Sequence, residues 1–442
     1  MATAQHPRNS TLEEALAEAR ERYVAVRPES ARIHERAREV LPGGNTRSVL
    51  FYTPFPTAMA RGEGCTLEDV DGHRYVDFCG EYTAGLFGHS EARIQRALHA
   101  AIDRGLNLAS VGEREGQLAA LLCARFPSFE RVRFTNSGTE ANMMALGAAR
   151  AFTGRSRVLG FNGGYHGGLM TFVGGGGNPT NAPVPVTLAD YNDIEGALAA
   201  LRAGAGEIGA VILEPMMGSG GCIPASREFL MALREATRAA GVLLIFDEVM
   251  TSRHSAGGLQ KVHGITPDLT TLGKYVAGGM SFGAFGGRAD VMDLFDGHRP
   301  GALIHSGTFN NNVLSMAGGL VAMGEIFDAA AADAHFARGE TLRGRLNAVC
   351  AARGVAMQFT GLGSMMQPHF RVGPIVRPYA ATPAEEALRE LYFFDLLAAG
   401  VYIARRGMIA MSLPTGDAEC DRLVAAVDEF CALRGTLMPA NR

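Results

Sequence analysis

From about Asp77 to Glu325 the chain repeats one texture, in which a short apolar, β-branched run is followed by a longer stretch with helical periodicity. The runs are RVRF (131–134), RVLGF (157–161), GAVILE (209–214), VLLIF (242–246), DLTTL (268–272) and FGAFGG (282–287). Strands separated by helices need crossover connections, so they form a sheet that is mainly parallel and covered on both faces. This alternation predicts an α/β domain. In such sheets ligands sit beyond the carboxyl ends of the strands, so the residues just after each run are where chemistry is expected.

The flanking regions read differently. Thr11 and Glu14 form a capping pattern ahead of LEEALAEARERYVAV, and a second helix is expected after Pro28, ending at the breaker PGGN. Short strand-like pieces follow in TAMARGEGCTLEDVDGHRYVDF. Beyond Glu325 a long helix leads to the segments VAMQFTGLGSMM and VYIARRGMIAMSL and a closing helix, the pattern of a smaller α+β lobe to which both termini contribute. The expected division is residues 1–76, 77–325 and 326–442. GGGG at 174–177 reads as a loop tip, since no helix pattern follows it.

Bulk properties exclude several classes. A formal charge of −4 with interspersed signs gives no footprint for nucleic acid. The seven cysteines are scattered without C-x-x-C spacing and read as reduced thiols of a cytoplasmic protein. The start, MATAQHPRNSTLEEALAEARERY, is too charged for a signal peptide, and no apolar run reaches spanning length, so no membrane partner is expected.

Four strand ends carry reactive residue types. After RVRF come Ser137, Gly138 and Thr139, which form either an anion cup at a helix N-terminus or an ordinary cap. RVLGF runs into NGGYHGG, where Tyr165 either stacks on a flat ligand or packs in a glycine-rich turn. VLLIF ends at Asp247 and Glu248; a carboxylate there needs a cation or a protonated heterocycle beside it. No histidine or cysteine set accompanies these acids, which argues against a metal. Lys274 stands alone in LTTLGKYVAGGMSFGAFGG, as a desolvated nucleophile or as half of an ion pair with Asp247. Together these pieces suit an aldehyde cofactor with a ring nitrogen and a phosphate, which is the description of pyridoxal 5′-phosphate.

FTNSGTEANMMAL, NGGYHGG, LIFDEVMTSR, TTLGKYVAGGMSFGAFGG and HSGTFNNN resemble the class III aminotransferases of the fold-type I pyridoxal-phosphate enzymes. The likeness is greatest to aromatic β-amino acid (β-phenylalanine) aminotransferases and to glutamate-1-semialdehyde aminomutases. The resemblance implies a large domain with a mainly parallel seven-stranded sheet. It implies that Lys274 forms the Schiff base with the cofactor, that Asp247 pairs with the pyridine nitrogen, and that Tyr165 covers the ring. Ser137, Gly138 and Thr139 would bind the phosphate, Val249 would pack beneath the ring, and Glu214 is counted with the cofactor-binding residues. Thr308, in G-T-F, would reach the phosphate of a neighbouring subunit and so require a homodimer.

Within the family, Arg47 in NTRSVLFYTPFP is expected to clamp a substrate carboxylate, unless it is a surface loop residue. Arg406 in VYIARRGMIAMSLP is expected to meet the distal carboxylate of a dicarboxylic keto acid, with Arg405 the solvated member of the pair. Tyr82 would wall the arene. Aminomutases carry an acidic pattern where this chain reads RRGMI. Met217 replaces a residue that is often glutamine, at the floor of the pocket. The expected reaction is ping-pong transfer of the amino group of an aromatic β-amino acid to 2-oxoglutarate or pyruvate. The competing readings are the aminomutase, an ω-amine transaminase, and a cofactor-holding relative without catalysis.

Overall fold

The computed structural model describes residues 11–175 and 177–438. The first ten residues of the charged start, Gly176 of the glycine run, and residues 439–442 lie outside them.

A seven-stranded sheet forms the centre. From one edge its strands are Arg131–Thr135, Gly283–Gly287, Leu269–Gly273, Leu243–Asp247, Ile208–Leu213, Arg157–Phe161 and Val186–Ala189. All pairings are parallel except the two made by Gly283–Gly287. Ile208–Leu213 and Leu243–Asp247 are buried at every position, as strands covered on both faces must be. The edge strand Val186–Ala189 was not expected. It emerges from the proline-rich NAPVPVTLA, and proline next to an edge strand sacrifices no ladder bond.

The helices between the strands start and stop where their ends carry the right chemistry. Ser137 caps Gly138–Thr153, its hydroxyl accepting from the Glu140 amide at 3.2 Å, and Gly154 ends that helix in the left-handed region. Thr11 and Glu14 form the expected reciprocal box at the head of Leu12–Ala25, each bond 3.2 Å long. That helix buries Ala15, Leu16, Ala19 and Tyr23 against Leu388, Leu391, Phe393 and Phe394 of Pro383–Ala398.

Both ends of the chain also share one small sheet. Met59–Glu63, Thr66–Asp69 and Arg74–Asp77 run antiparallel, and Val401–Tyr402 adds in parallel beside Arg74–Asp77. The Ala410 amide donates to the Phe78 carbonyl at 2.7 Å, which lays the 403–408 loop against the Gly80–Thr83 turn. This docking matters because the loop carries Arg405 and Arg406. Among the described residues no single helix is long and apolar enough to cross a membrane.

Candidate active site

The reactive side chains follow consecutive strands at one edge of the sheet. Asp247 ends its strand in register with Thr271, so Lys274 emerges three residues further along the neighbouring strand. Leu213 is paired with Phe246, which brings Glu214 beside Asp247 from the other side. Lys274 adopts φ 55°, a left-handed conformation costing a side-chain-bearing residue roughly 1–3 kcal/mol. Burial, with the Arg406 charge adding to it, lowers its amine to about 8. Among the described residues Lys274 forms no ion pair, and the Asp247 oxygens are engaged elsewhere. The ion-pair alternative is therefore not what the fold builds.

Asp247 is 4% exposed and held on three sides. Its Oδ2 accepts from Asn142 Nδ2 and His166 Nδ1, both at 2.8 Å, and its Oδ1 accepts from the Val249 amide at 3.0 Å. Asn142 in turn accepts from the Thr271 hydroxyl at 2.6 Å, so its amide orientation is fixed. Within this chain the partners of the carboxylate are a histidine and an amide. Asn142, His166 and Thr271 carried no role in the sequence reading. His166 was visible inside NGGYHGG; Asn142 and Thr271 gave no signal, because their meeting with Asp247 is tertiary. Glu214 accepts from the Tyr165 amide at 3.1 Å and the Gly218 amide at 3.0 Å. Burial, reinforced by the Asp247 charge, pushes its carboxyl up to about 7. The Tyr165 ring remains 39% exposed.

The helix beginning at Gly138 points its N-terminus at this place. A Cβ on Gly138 would lie 2.8 Å from both Val249 methyls, and one on Gly273 would lie 3.2 Å from Val249 Cγ1 and 3.4 Å from the Gly138 nitrogen. The amide cup, Val249 and the backbone before Lys274 therefore share one tight contact. A Cβ on Gly167, at φ +108°, would overlap Thr139 Oγ1, which seats the YHG loop on the same helix end.

On the open side, two guanidinium groups lie near the Tyr82 ring. Arg47 is 5.7 Å from its centroid and Arg406 is 5.5 Å from it. Arg47 also pairs with Glu81 at 2.5 Å, and the Tyr82 hydroxyl donates to the Val49 carbonyl at 2.9 Å. The structure separates the two neighbouring arginines. Arg405 is not the solvated one, because it binds Glu390 at 2.7 Å. Arg406 has no carboxylate among the described residues, touches Met408 Sδ at 3.1 Å, and acts electrostatically on Lys274. Met217 packs among Leu159, Phe161 and Ile223 in the core, with its sulfur facing Gly163 and Gly220. Thr308 is not among these residues. It lines a separate cleft of about 760 Å³ with Leu106, Leu108, Val111 and Phe309, the last three at least 57% exposed.

Residues 51–426 match the aminotransferase class-III family. The chain belongs to the class III aminotransferases. This aminotransferase is 51% identical, over 98% of its length and 99% of the relative, to the beta-phenylalanine transaminase of Variovorax paradoxus. It is 39% identical to the glutamate-1-semialdehyde 2,1-aminomutase of Methanothermobacter thermautotrophicus, covering 85% and 91% of the two chains. A beta-phenylalanine aminotransferase from Variovorax paradoxus superposes with a TM-score of 0.95 at 51% identity, over 98% of this chain and 100% of that one. An omega-transaminase from Sphaerobacter thermophilus follows at 0.88 and 38%, over 93% and 99%. The architecture is that of the fold-type I enzymes, and the cofactor of the family is pyridoxal 5′-phosphate. The residues present fit that group. A buried carboxylate held by Asn142 and His166, an amine lowered to about 8 and a helix N-terminus meet around Val249.

Proposed function

We propose that this aminotransferase moves the amino group of an aromatic β-amino acid to a 2-keto acid such as 2-oxoglutarate or pyruvate, in two half-reactions. The observation that carries the reading is the Tyr82 ring with the guanidinium groups of Arg47 and Arg406 both near it, an apolar wall beside two carboxylate receptors. The 51% identity to a β-phenylalanine transaminase supports it.

When bound, pyridoxal phosphate supplies an aldehyde that carries the amino group and a ring that disperses charge from the substrate carbon. The protein does the rest. Amides at Ser137, Gly138 and Thr139 hold the phosphate at the positive end of their helix. Asp247, fixed by Asn142 and His166, keeps a proton on the ring nitrogen. Val249 and Tyr165 would hold the ring, while Glu214 holds the Tyr165 backbone in place. The Lys274 amine, neutral at moderately alkaline pH, would take the proton from the substrate carbon and return it to the carbon on the far side of the nitrogen, two bonds away. Arg47 binds the substrate carboxylate in competition with Glu81. Arg406 meets the distal carboxylate of the acceptor. Thr308 serves the site of a second copy in a homodimer; its exposed apolar surroundings support that role. The divisions at 76/77 and 325/326 and a cytoplasmic location belong to the same proposal.

The test is a donor screen by half-reaction. Holoenzyme is mixed with aromatic β-amino acids, α-amino acids, simple amines and glutamate semialdehyde while the cofactor absorbance is followed. Bleaching by the β-amino acids is expected. Bleaching by the semialdehyde alone overturns the assignment.

A further inference from the structure

Arg253 is fully buried, yet among the described residues no carboxylate lies within ion-pair distance of it. Burial pulls its guanidinium down to about 10. Neutral acceptors from four separate segments satisfy it. Nε donates to the Ser364 hydroxyl at 3.0 Å, Nη1 to the Thr83 carbonyl at 3.3 Å, and Nη2 to His335 Nε2 at 3.1 Å and to the Met411 carbonyl. Such a residue contributes little by charge pairing. Its planar fork instead fixes several backbone segments relative to one another.

The Thr83 carbonyl closes an unusual turn. Gly80, Glu81, Tyr82 and Thr83 have φ of 52°, 46°, 53° and 81°, so three consecutive residues with side chains sit in the left-handed region. Conformations of this kind persist only where surroundings over-determine them. The turn's own bonds are short-range: the Tyr82 amide donates to Cys79 and the Ala84 amide to Glu81. Its distant tethers are Arg253 on Thr83, the Tyr82 hydroxyl on Val49 and Arg47 on Glu81, and of these only Arg253 is fully buried. The same guanidinium holds Met411, just beyond the loop that carries Arg406, and Arg253 itself lies six residues beyond Asp247 on the same segment.

We infer that Arg253 is a positioning residue for substrate recognition: it locks the Glu81–Tyr82–Thr83 turn, and thereby the spacing of Arg47, Tyr82 and Arg406, to the frame that carries Asp247. This rests on the substrate reading above. The experiment compares holoenzyme of Arg253→Met, Arg253→Lys and Ser364→Ala with the parent. It measures the Kd of the unreactive 3-phenylpropanoate and of 2-oxoglutarate by calorimetry, together with kcat and cofactor absorbance. For Arg253→Met both Kd values are expected to rise about tenfold or more, with kcat at saturation within about threefold and an unchanged cofactor spectrum. Arg253→Lys, which keeps charge but loses the fork, and Ser364→Ala should show the same selectivity at smaller amplitude. Kd values within twofold of the parent, or a kcat that falls in step with cofactor occupancy, overturn the inference. Should Arg253→Met fail to fold, the two milder variants decide by the same criteria. Parent enzyme that binds 2-oxoglutarate but no 3-phenylpropanoate counts against the substrate reading alone, and 2-oxoglutarate then judges Arg253.

Discussion

Lys274 owes its reactivity to burial more than to any partner, and the direction of its shift yields a pH prediction. Only the neutral amine attacks an aldehyde, and with its pKa lowered to about 8 the neutral form dominates above that pH. Capture of pyridoxal phosphate by apoprotein should accelerate as pH rises through about 8 and then level off; stopped-flow absorbance reads it, and a flat profile from pH 6.5 to 9.5 contradicts it. Lys274→Ala should leave no phosphopyridoxyl mass on its peptide after borohydride treatment. Arg406 meets no carboxylate among the described residues, so Arg406→Ala should raise KM for 2-oxoglutarate about 10- to 100-fold, the equivalent of one charged hydrogen bond, and barely alter pyruvate. Equal effects on the two acceptors would place its guanidinium away from the distal carboxylate. At this scale sequence could single out Lys274 and Asp247, because a charge at the end of an apolar run is costly wherever the strand lies. Residue type alone did not rank Arg405 against Arg406; only the resemblance singled out Arg406. Adjacent arginines look alike until Glu390, fifteen residues upstream on another element, claims one of them.

The helix Gly138–Thr153 and the strand Leu243–Asp247 meet through Gly138 and Val249, with no room for a methyl between them. Gly138→Ala should therefore push the helix N-terminus off its seat. Overpacking of this kind costs about 1–3 kcal/mol, so the Kd for pyridoxal phosphate should rise roughly tenfold or more. Adding Val249→Ala, which removes the obstructing methyls, should recover most of that loss; no recovery would mean that the glycine serves the anion directly. Six strands of the central sheet were legible because each carries a short apolar or β-branched run between helical stretches. Val186–Ala189 was not, since a four-residue strand behind two prolines, three of its residues half-buried, looks like loop until the neighbouring strand supplies the hydrogen bonds. The left-handed turn at Gly80–Thr83 had no sequence signature either, because only one of its four residues is glycine.

Over the whole molecule, the proposed homodimer has a direct test in mixed subunits. If Thr308 serves the partner's phosphate, Lys274→Ala and Thr308→Ala chains each give impaired homodimers. Their mixture should regain activity, because one site per heterodimer then holds an intact lysine and an intact threonine. Activity no higher than the sum of the separate variants, with mixing verified by sedimentation or mass, counts against the shared site. The exposed Leu108, Val111 and Phe309 around Thr308 give such a contact its apolar surface. What the sequence determined by itself was the layered α/β sheet, the family, and the strand-end chemistry, since apolar runs, caps and a lone lysine act through neighbours close in the chain. What only the tertiary structure decided was the Asn142–His166 grip on Asp247, the choice between Arg405 and Arg406, and the Arg253 clamp. Each of these joins residues from distant segments, and their hydrogen bonds exist only once packing of the core has fixed the backbone that presents them.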